Sequence, residues 1–132
     1  MNYKFLSFII SIILVAGCVS PTGQVAAKSS DDVKVFTIQS FSGMADGKMR
    51  PQFSLREITV SKGDKVRILV NATSGKHDFT LDEYNVKEET PAGSITVIEF
   101  TADKDGEFVY YCSKLGHRDL GQWGTLKVIG QA

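Results

Sequence analysis

Cysteine and histidine are scarce in this chain, which has two of each among its 132 residues. So few thiols exclude a fold held together by several disulfides. Basic and acidic residues are balanced at 15 each, so the chain lacks the positive excess that nucleic-acid binding needs. Past residue 32, apolar residues nowhere recur at helical spacing for more than about two turns, which excludes a helical fold.

The composition that remains is that of one globular domain. Hydrophobic residues make up 42% of the chain, enough for a single core at this length. From Val33 onward, short β-rich segments alternate with turn residues, which is typical of a β-sandwich. We therefore predict an all-β, Greek-key antiparallel β-sandwich of about 7–8 strands. The segments 42–51 and 88–93 contain glycine and proline and are expected to be loops.

The N-terminal segment has the pattern of an export signal. A weakly positive start is followed by an apolar run and then by small residues directly before Cys18. We expect residues 1–17 to be a lipoprotein signal peptide, residues 18–32 a lipidated cysteine with a flexible tether, and residues 33–132 the folded domain. An uncleaved membrane anchor is the alternative, although Phe5–Val19 is shorter than the roughly 20 residues that span a bilayer. Either interpretation places the domain outside the cytoplasm, anchored to the cell membrane.

The remaining cysteine lies among potential metal ligands. Cys112, His117 and Gln122 share the stretch YYCSKLGHRDLGQWGTLKV, and His77 precedes the cysteine by 35 residues. If Cys18 is lipidated, the thiol of Cys112 has no disulfide partner and is either buried as a small hydrophobe or bound to metal. One thiolate, two imidazoles and a weak axial donor form the ligand set of a blue-copper site. Because both histidines of the chain belong to this group, we favour a metal site.

The segments GKHDFTLDEYNV, PAGSITVIEFTADKDGEFVYYCSKLGH and GQWGTLKV resemble the cupredoxin family, which includes plastocyanins, azurins and phytocyanins. The resemblance covers essentially all of residues 33–130. It implies that His77, Cys112 and His117 are the equatorial ligands of one Cu(I)/Cu(II) ion. It also implies that Gln122 takes the axial position, where most members have methionine. The Cys-x4-His-x4-Gln spacing is similar to the stellacyanin branch.

The axial ligand has alternatives at this point. Arg118 follows His117, so the chain lacks the extra disulfide cysteine of the stellacyanin branch. Gln122 could turn away and leave a three-coordinate site near the carbonyl of Gly75 or Lys76. The thioethers of residues 44 and 49 are further candidates.

Residues beside the ligands have expected roles of their own. The carboxylate of Asp78 can accept a hydrogen bond from the Ser113 N–H or hydroxyl and thereby support the ligand loop, unless it is simply a solvated strand residue. In the family the ring edge of the loop histidine is the electron port within an apolar patch. The resemblance assigns an electron-transfer patch and a second docking position to Leu115, Gly116, Leu120 and Tyr111.

These observations predict a membrane-tethered blue-copper protein that carries single electrons between redox partners. The expected partners are redox proteins that dock transiently on a monomer, with no role for nucleic acid. An extracytoplasmic protein that buffers or delivers copper is the alternative function. An enzyme is not expected, because Tyr111 and Ser113 flank Cys112 where a copper enzyme would need further histidine ligands.

Overall fold

The computed structural model describes residues 32–130, which form nine strands and one short 3-10 turn. The strands are β1 (Val33–Ala45), β2 (Lys48–Phe53), β3 (Glu57–Ser61), β4 (Lys65–Ala72), β5 (Lys76–Leu81), β6 (Val86–Pro91), β7 (Ser94–Thr101), β8 (Gly106–Tyr111) and β9 (Trp123–Ile129). The 3-10 turn, Asp82–Tyr84, joins β5 to β6.

Two sheets make up the molecule, with strand orders β2-β1-β4-β7 and β3-β9-β8-β5-β6. This architecture confirms the predicted all-β sandwich, with nine strands among the described residues instead of 7–8. Most neighbours are antiparallel, but β1 pairs parallel with β4 and β3 pairs parallel with β9. Each sheet therefore contains one parallel pair that the alternation of apolar residues along the strands does not reveal.

The core lies between the sheets and follows the period of two expected of strands. In β4, Val66, Ile68 and Val70 are at most 1% exposed, while the residues between them face outward. The inward face of β7 was not evident from its sequence. The structure shows Ile98 buried and its neighbour Val97 exposed, so the even-numbered positions point to the core.

The segment 42–51 is a β-hairpin and not the loop that its glycines suggested. Strand β1 continues to Ala45, β2 begins at Lys48, and Met44 lies opposite Met49 in the ladder. The turn is Asp46-Gly47, with φ angles of 51° and 72°. An Asp-Gly pair with both φ angles positive is a preferred hairpin turn, because its twist matches that of the flanking strands. That dipeptide was the signal for a hairpin.

The prediction of a loop over residues 88–93 was also wrong, since residues 88–91 belong to strand β6. This strand lies at the edge of the five-stranded sheet and pairs only with β5. Its residues Lys87, Glu88 and Glu89 are exposed, whereas Thr90 is buried. Charged residues are common on edge strands because they prevent further strand pairing, and here they concealed the strand in the sequence.

No helix within residues 32–130 is long and apolar enough to cross a membrane. The predicted signal peptide, the lipidation of Cys18 and the tether over 18–32 lie outside the described residues, apart from residue 32. Those expectations remain predictions.

A glycine at the start of β9 lets an aromatic ring pack directly against the backbone. Tyr110 is fully buried, and its hydroxyl donates a hydrogen bond of 2.8 Å to the Leu55 carbonyl. A Cβ at Gly124 would lie 2.3 Å from the Tyr110 ring, well inside contact distance. The position of this ring therefore requires a residue without a Cβ atom at position 124.

We expect Gly124→Ala to destabilise the fold by about 1–3 kcal/mol, the range measured for overpacked cores. The measurement is the free energy of unfolding in urea. Gly130→Ala is a matched control, since the nearest atom to a Cβ there is 3.8 Å away. Equal stability of the two variants would show that the Tyr110 ring moves aside without cost.

Candidate metal centre

The loop between β8 and β9 carries three of the four predicted ligands. Cys112 directly follows β8 and Gln122 directly precedes β9. The Cys112 N–H donates to the Gln122 carbonyl at 3.1 Å, which continues the β8–β9 ladder by one more pair. Within the loop, the Gln122 N–H donates to the His117 carbonyl at 3.0 Å. The loop is therefore folded back on itself by its own backbone.

His77 comes from β5 and is 1% exposed. Its ring lies against Gly75, where φ is +84° and a Cβ would lie 2.5 Å from the Nε2 atom. The other ring nitrogen, Nδ1, lies 3.3 Å from Nδ1 of His117. Gly75 thus allows the ring to pack with Nδ1 directed towards the ligand loop.

Four donor atoms converge at this point. Nδ1 of His117 lies 3.4 Å from Sγ of Cys112 and 3.1 Å from Oε1 of Gln122. The ligand atoms of His77, Cys112 and His117 all lie within 4.8 Å of one another. Cys112 and Gln122 are 0% exposed, and only His117 is partly accessible. The structure therefore brings all four predicted side chains together in one group, of which three are buried and His117 is partly exposed.

This donor set fits a single copper ion. Donor atoms that share one first-row metal ion lie roughly 3 to 4 Å apart, because metal–nitrogen and metal–sulfur bonds measure about 2.0 to 2.3 Å. A soft thiolate and imidazoles suit Cu(I), and imidazoles also hold Cu(II). His77, Cys112 and His117 would hold the ion, and the amide oxygen of Gln122 would be a weaker donor beside them. Bound copper would supply a reversible one-electron redox couple.

Burial shifts the pKa of two of the candidate ligands, Cys112 and His77. It raises the pKa of the Cys112 thiol, an effect partly offset by the main-chain N–H groups of Asp78 and Lys114. Burial also lowers the pKa of His77, which keeps this imidazole neutral and available to bind metal. A metal ion must therefore displace the thiol proton, so affinity for metal falls as the pH falls.

Asp78 and Ser113 link the histidine strand to the ligand loop, which is the first of the two environments considered for Asp78 from the sequence. The Asp78 carboxylate accepts from the Ser113 N–H at 2.6 Å and from the Ser113 hydroxyl at 2.7 Å. The Asp78 N–H in turn donates to Sγ of Cys112 at 3.4 Å. Asp78 is 1% exposed, so its negative charge is buried beside the sulfur. The ammonium of Lys114 approaches this carboxylate to 3.9 Å.

We expect Asp78→Asn to raise the reduction potential of the copper-loaded protein, because a buried negative charge beside the thiolate favours Cu(II) over Cu(I). A change on the order of 1 kcal/mol corresponds to about 40 mV for one electron. Voltammetry measures it. Glu89→Gln is the control, since Glu89 pairs with the same Lys114 at 2.6 Å but is largely exposed. An equal shift in both variants would rule out a specific effect of burial.

The orientation of the Gln122 amide is determined by residues that the sequence did not suggest. Nε2 of Gln122 donates to the Ser40 hydroxyl at 3.0 Å and to the Gln52 carbonyl at 3.4 Å. A carbonyl can only accept, so the amide nitrogen must lie on that side. Oε1 then faces His117 and the other ligands. Since Ser40 is 82 residues away from Gln122, no local motif could have indicated this contact.

We expect Gln122→Met to raise the reduction potential, because an amide oxygen donates more strongly to Cu(II) than a thioether does. Ser40→Ala should alter the spectrum and potential of the wild-type site by releasing the amide, and should have little effect in the Gln122→Met background. Voltammetry and electron paramagnetic resonance of the four proteins provide the double-mutant cycle. An unchanged potential in Gln122→Met would remove Gln122 from the ligand set.

Arg56 supports the loop from outside. It donates to the Gly121 carbonyl, and its guanidinium lies 4.9 Å from the centroid of the Trp123 ring. Arg56 therefore contacts the residues on both sides of Gln122. We did not predict this role for Arg56.

The other thioether candidates lie outside the group of donor atoms. Met44 and Met49 are 67% and 63% exposed on the hairpin, whereas Gln122 occupies the position beside His117.

The predicted electron-transfer residues occupy different environments. Leu115 is fully exposed and Leu120 is 44% exposed, so both present apolar surface on the ligand loop. Gly116 is partly buried and has a φ of +75°, which makes it a turn residue of the loop. Tyr111 lies on β8, where its hydroxyl donates to Asp82 at 2.9 Å and the Arg118 guanidinium lies 4.3 Å from its ring centroid.

A two-sheet sandwich that holds buried His-Cys-His ligands with a glutamine beside them defines a copper-binding domain with a type-1-like site. Residues 8–122 match the family model described as a cupredoxin-like domain. The chain belongs to this family.

Known relatives are similar to part of the chain. Nitrous-oxide reductase of Cupriavidus necator is 34% identical over 71 residues, which cover 51% of this chain and 11% of that protein. The corresponding enzyme of Stutzerimonas stutzeri is 33% identical over 73 residues and is also covered to 11%. The chain thus spans about a tenth of the length of these curated relatives.

Solved copper proteins share the fold. The Cu-containing nitrite reductase of Thermus scotoductus has a TM-score of 0.65 at 21% identity, covering 76% of this chain and 28% of that one. The blue copper oxidase of Nitrosomonas europaea has a TM-score of 0.65 at 18% identity, covering 76% and 40%. At this level of identity the similarity concerns the fold alone.

Proposed function

We propose that this protein is a mononuclear blue-copper electron carrier, tethered to the membrane outside the cytoplasm. The observation that carries the proposal is the convergence of Sγ, two Nδ1 atoms and Oε1, with neighbouring donors 3.1 to 3.4 Å apart. The N-terminal sequence pattern supports the tether and the location.

The geometry suits a carrier because the donors are held by the protein independently of the ion. Cys112 is fixed by the β8–β9 ladder, and Gln122 by Ser40 and by the same ladder. His77 lies within strand β5. Ligands restrained in this way have little freedom to rearrange between Cu(I) and Cu(II). A small rearrangement favours fast exchange of single electrons.

A separate catalytic activity is not part of the proposal. The relatives named above include reductases of nitrous oxide and nitrite, but the chain matches only a fraction of each. Both histidines of the sequence already belong to the one group of ligands, and its loop has a single cysteine. A second copper ion or a binuclear centre would need further ligands of these kinds. We therefore propose electron transfer as the role of this single centre.

The ligand loop offers a surface for redox partners. His117 is the most accessible of the three strong ligands, and Leu115 and Leu120 expose apolar surface on the same loop. Small contact surfaces of this kind suit weak and transient redox encounters. We propose that electrons pass through the His117 ring to proteins that dock on this loop, and that the carrier acts as a monomer.

Copper buffering or delivery is the second candidate. Met44 and Met49 face each other across the hairpin and are both exposed, and thioethers are soft donors that suit Cu(I). Against this function, the type-1-like donors are buried, whereas transfer of the ion favours an accessible site.

Addition of Cu(II) to the purified protein tests the proposal. We expect an intense thiolate-to-copper band in the visible spectrum, lost reversibly on reduction and absent in Cys112→Ser, which lacks the thiolate. Met44→Leu with Met49→Leu should leave the band unchanged. A colourless Cu(I) complex that air does not oxidise would instead support delivery or buffering of copper.

A further inference from the structure

A cleft of about 680 Å³ lies beside the ligand loop, between that loop and the β1–β2 hairpin. Its lining includes Arg50 of the hairpin, Arg56 of the β2–β3 connection, and Leu120 and Gly121 of the loop. Gly121 directly precedes the axial residue Gln122. The cleft therefore adjoins the metal centre without containing any of its ligands.

The side chains that line this cleft carry a net positive charge. Within residues 32–130, no hydrogen bond or ion pair engages the Arg50 guanidinium, and its Nε atom is buried without a partner. The Nη atoms of the same guanidinium are not among the buried unpartnered atoms, so their N–H groups can donate to an acceptor that enters the cleft. Asp46, at the hairpin turn, also lines the cleft. With two arginines and one aspartate, the formal charge of the lining is +1.

The geometry of arginine selects the chemistry of the ligand. The guanidinium presents five donors in a planar fork that matches the two oxygens of a carboxylate. Arg56 uses one N–H for the Gly121 carbonyl and retains further donors. Two such groups on one cleft suit an anionic group with several acceptor oxygens.

The location of the cleft beside the ligand loop indicates which molecule would supply the anionic group. Leu120 is 44% exposed and lies at the edge of the cleft, and Leu115 on the same loop is fully exposed. A partner that covers this apolar surface also reaches the cleft. Interfaces commonly combine an apolar centre with charged groups at the rim, and complementary charges orient the encounter and speed it.

We propose that the cleft formed by Arg50 and Arg56 binds an aspartate or glutamate side chain of the redox partner that docks on the ligand loop. This inference rests on the proposed function, since it names the chemistry of that partner. It places the acidic residue of the partner next to Gly121, within one residue of a copper ligand. The contact would fix the orientation in which the partner approaches the site.

Titration of the copper-loaded, reduced protein with acetyl-tetraglutamate, followed by NMR, tests the proposal. We expect shifts of the Arg50 Nε–H and of the Leu120 and Gly121 amides, and none with acetyl-tetraglutamine. Arg50→Gln should lower the affinity for acetyl-tetraglutamate roughly threefold, which is the size expected for one partly exposed charged contact. Lys48→Gln is the matched control, because it removes the same charge from the same hairpin at a residue that does not line the cleft.

Equal weakening by Arg50→Gln and Lys48→Gln would overturn the proposal in favour of the general field of the protein. Binding of citrate without binding of the peptide would also overturn it, since the ligand would then be a small carboxylate. Arg50→Lys, which keeps the charge but loses the fork, should give an intermediate affinity and covers the case in which Arg50→Gln misfolds. The titration tests the docking cleft, whereas the visible copper band tests the proposed function. Absence of peptide binding would therefore contradict the first without contradicting the second.

Discussion

The register of β8 against β9 is the constraint on which the metal centre depends. Tyr111 pairs with Trp123, and the next pair brings the Cys112 N–H to the Gln122 carbonyl at 3.1 Å. The two ends of the ligand loop are therefore held together by sheet hydrogen bonds and not by the ion. A slip of this register by one residue would place Cys112 and Gln122 on opposite faces of the sheet, so that they could not share one site.

On the other side of β8, the backbone ladder with the neighbouring strand β5 is much shorter. It contains only Thr80 opposite Tyr111. Past that pair, the Ser113 N–H donates to the Asp78 carboxylate at 2.6 Å and not to a backbone carbonyl of β5. This side-chain bridge stands where a further backbone pair would continue the ladder, and His77, the residue before Asp78, lies beside the ligand loop. The carboxylate thus has two effects: it joins the strand to the loop, and it places a negative charge beside the sulfur.

The surroundings of the centre are built from both sheets. Ser40 and Gln52 of the four-stranded sheet orient the Gln122 amide, while Arg56 contacts the residues that flank it. The ligands themselves belong to the five-stranded sheet and its loop. Packing of one sheet on the other therefore positions the Gln122 amide as well as the core. The same hairpin that supplies Gln52 also supplies Arg50, so the contact with the Gln122 amide and the proposed docking cleft share one structural element.

Several elements could be predicted because their signals are local. The β-rich segments between turn residues predicted the sandwich, and the occurrence of Cys112, His117 and Gln122 within eleven residues placed three candidate ligands in one stretch. The hairpin over 42–51 and strand β6 were missed, because glycine and charged residues concealed strands that lie at sheet edges. There, pairing with one neighbour outweighs the weak β propensity of the residues.

The amino-acid sequence by itself determined the class of fold and the chemical identity of the donors, since alternation and residue type are properties of the chain. Only the tertiary structure decided which atoms of those donors face one another. That outcome depends on parallel pairing of β1 with β4 and on contacts such as Ser40 with Gln122, across 82 residues. Such contacts form because the sheets pack around a common core, and no short segment encodes them.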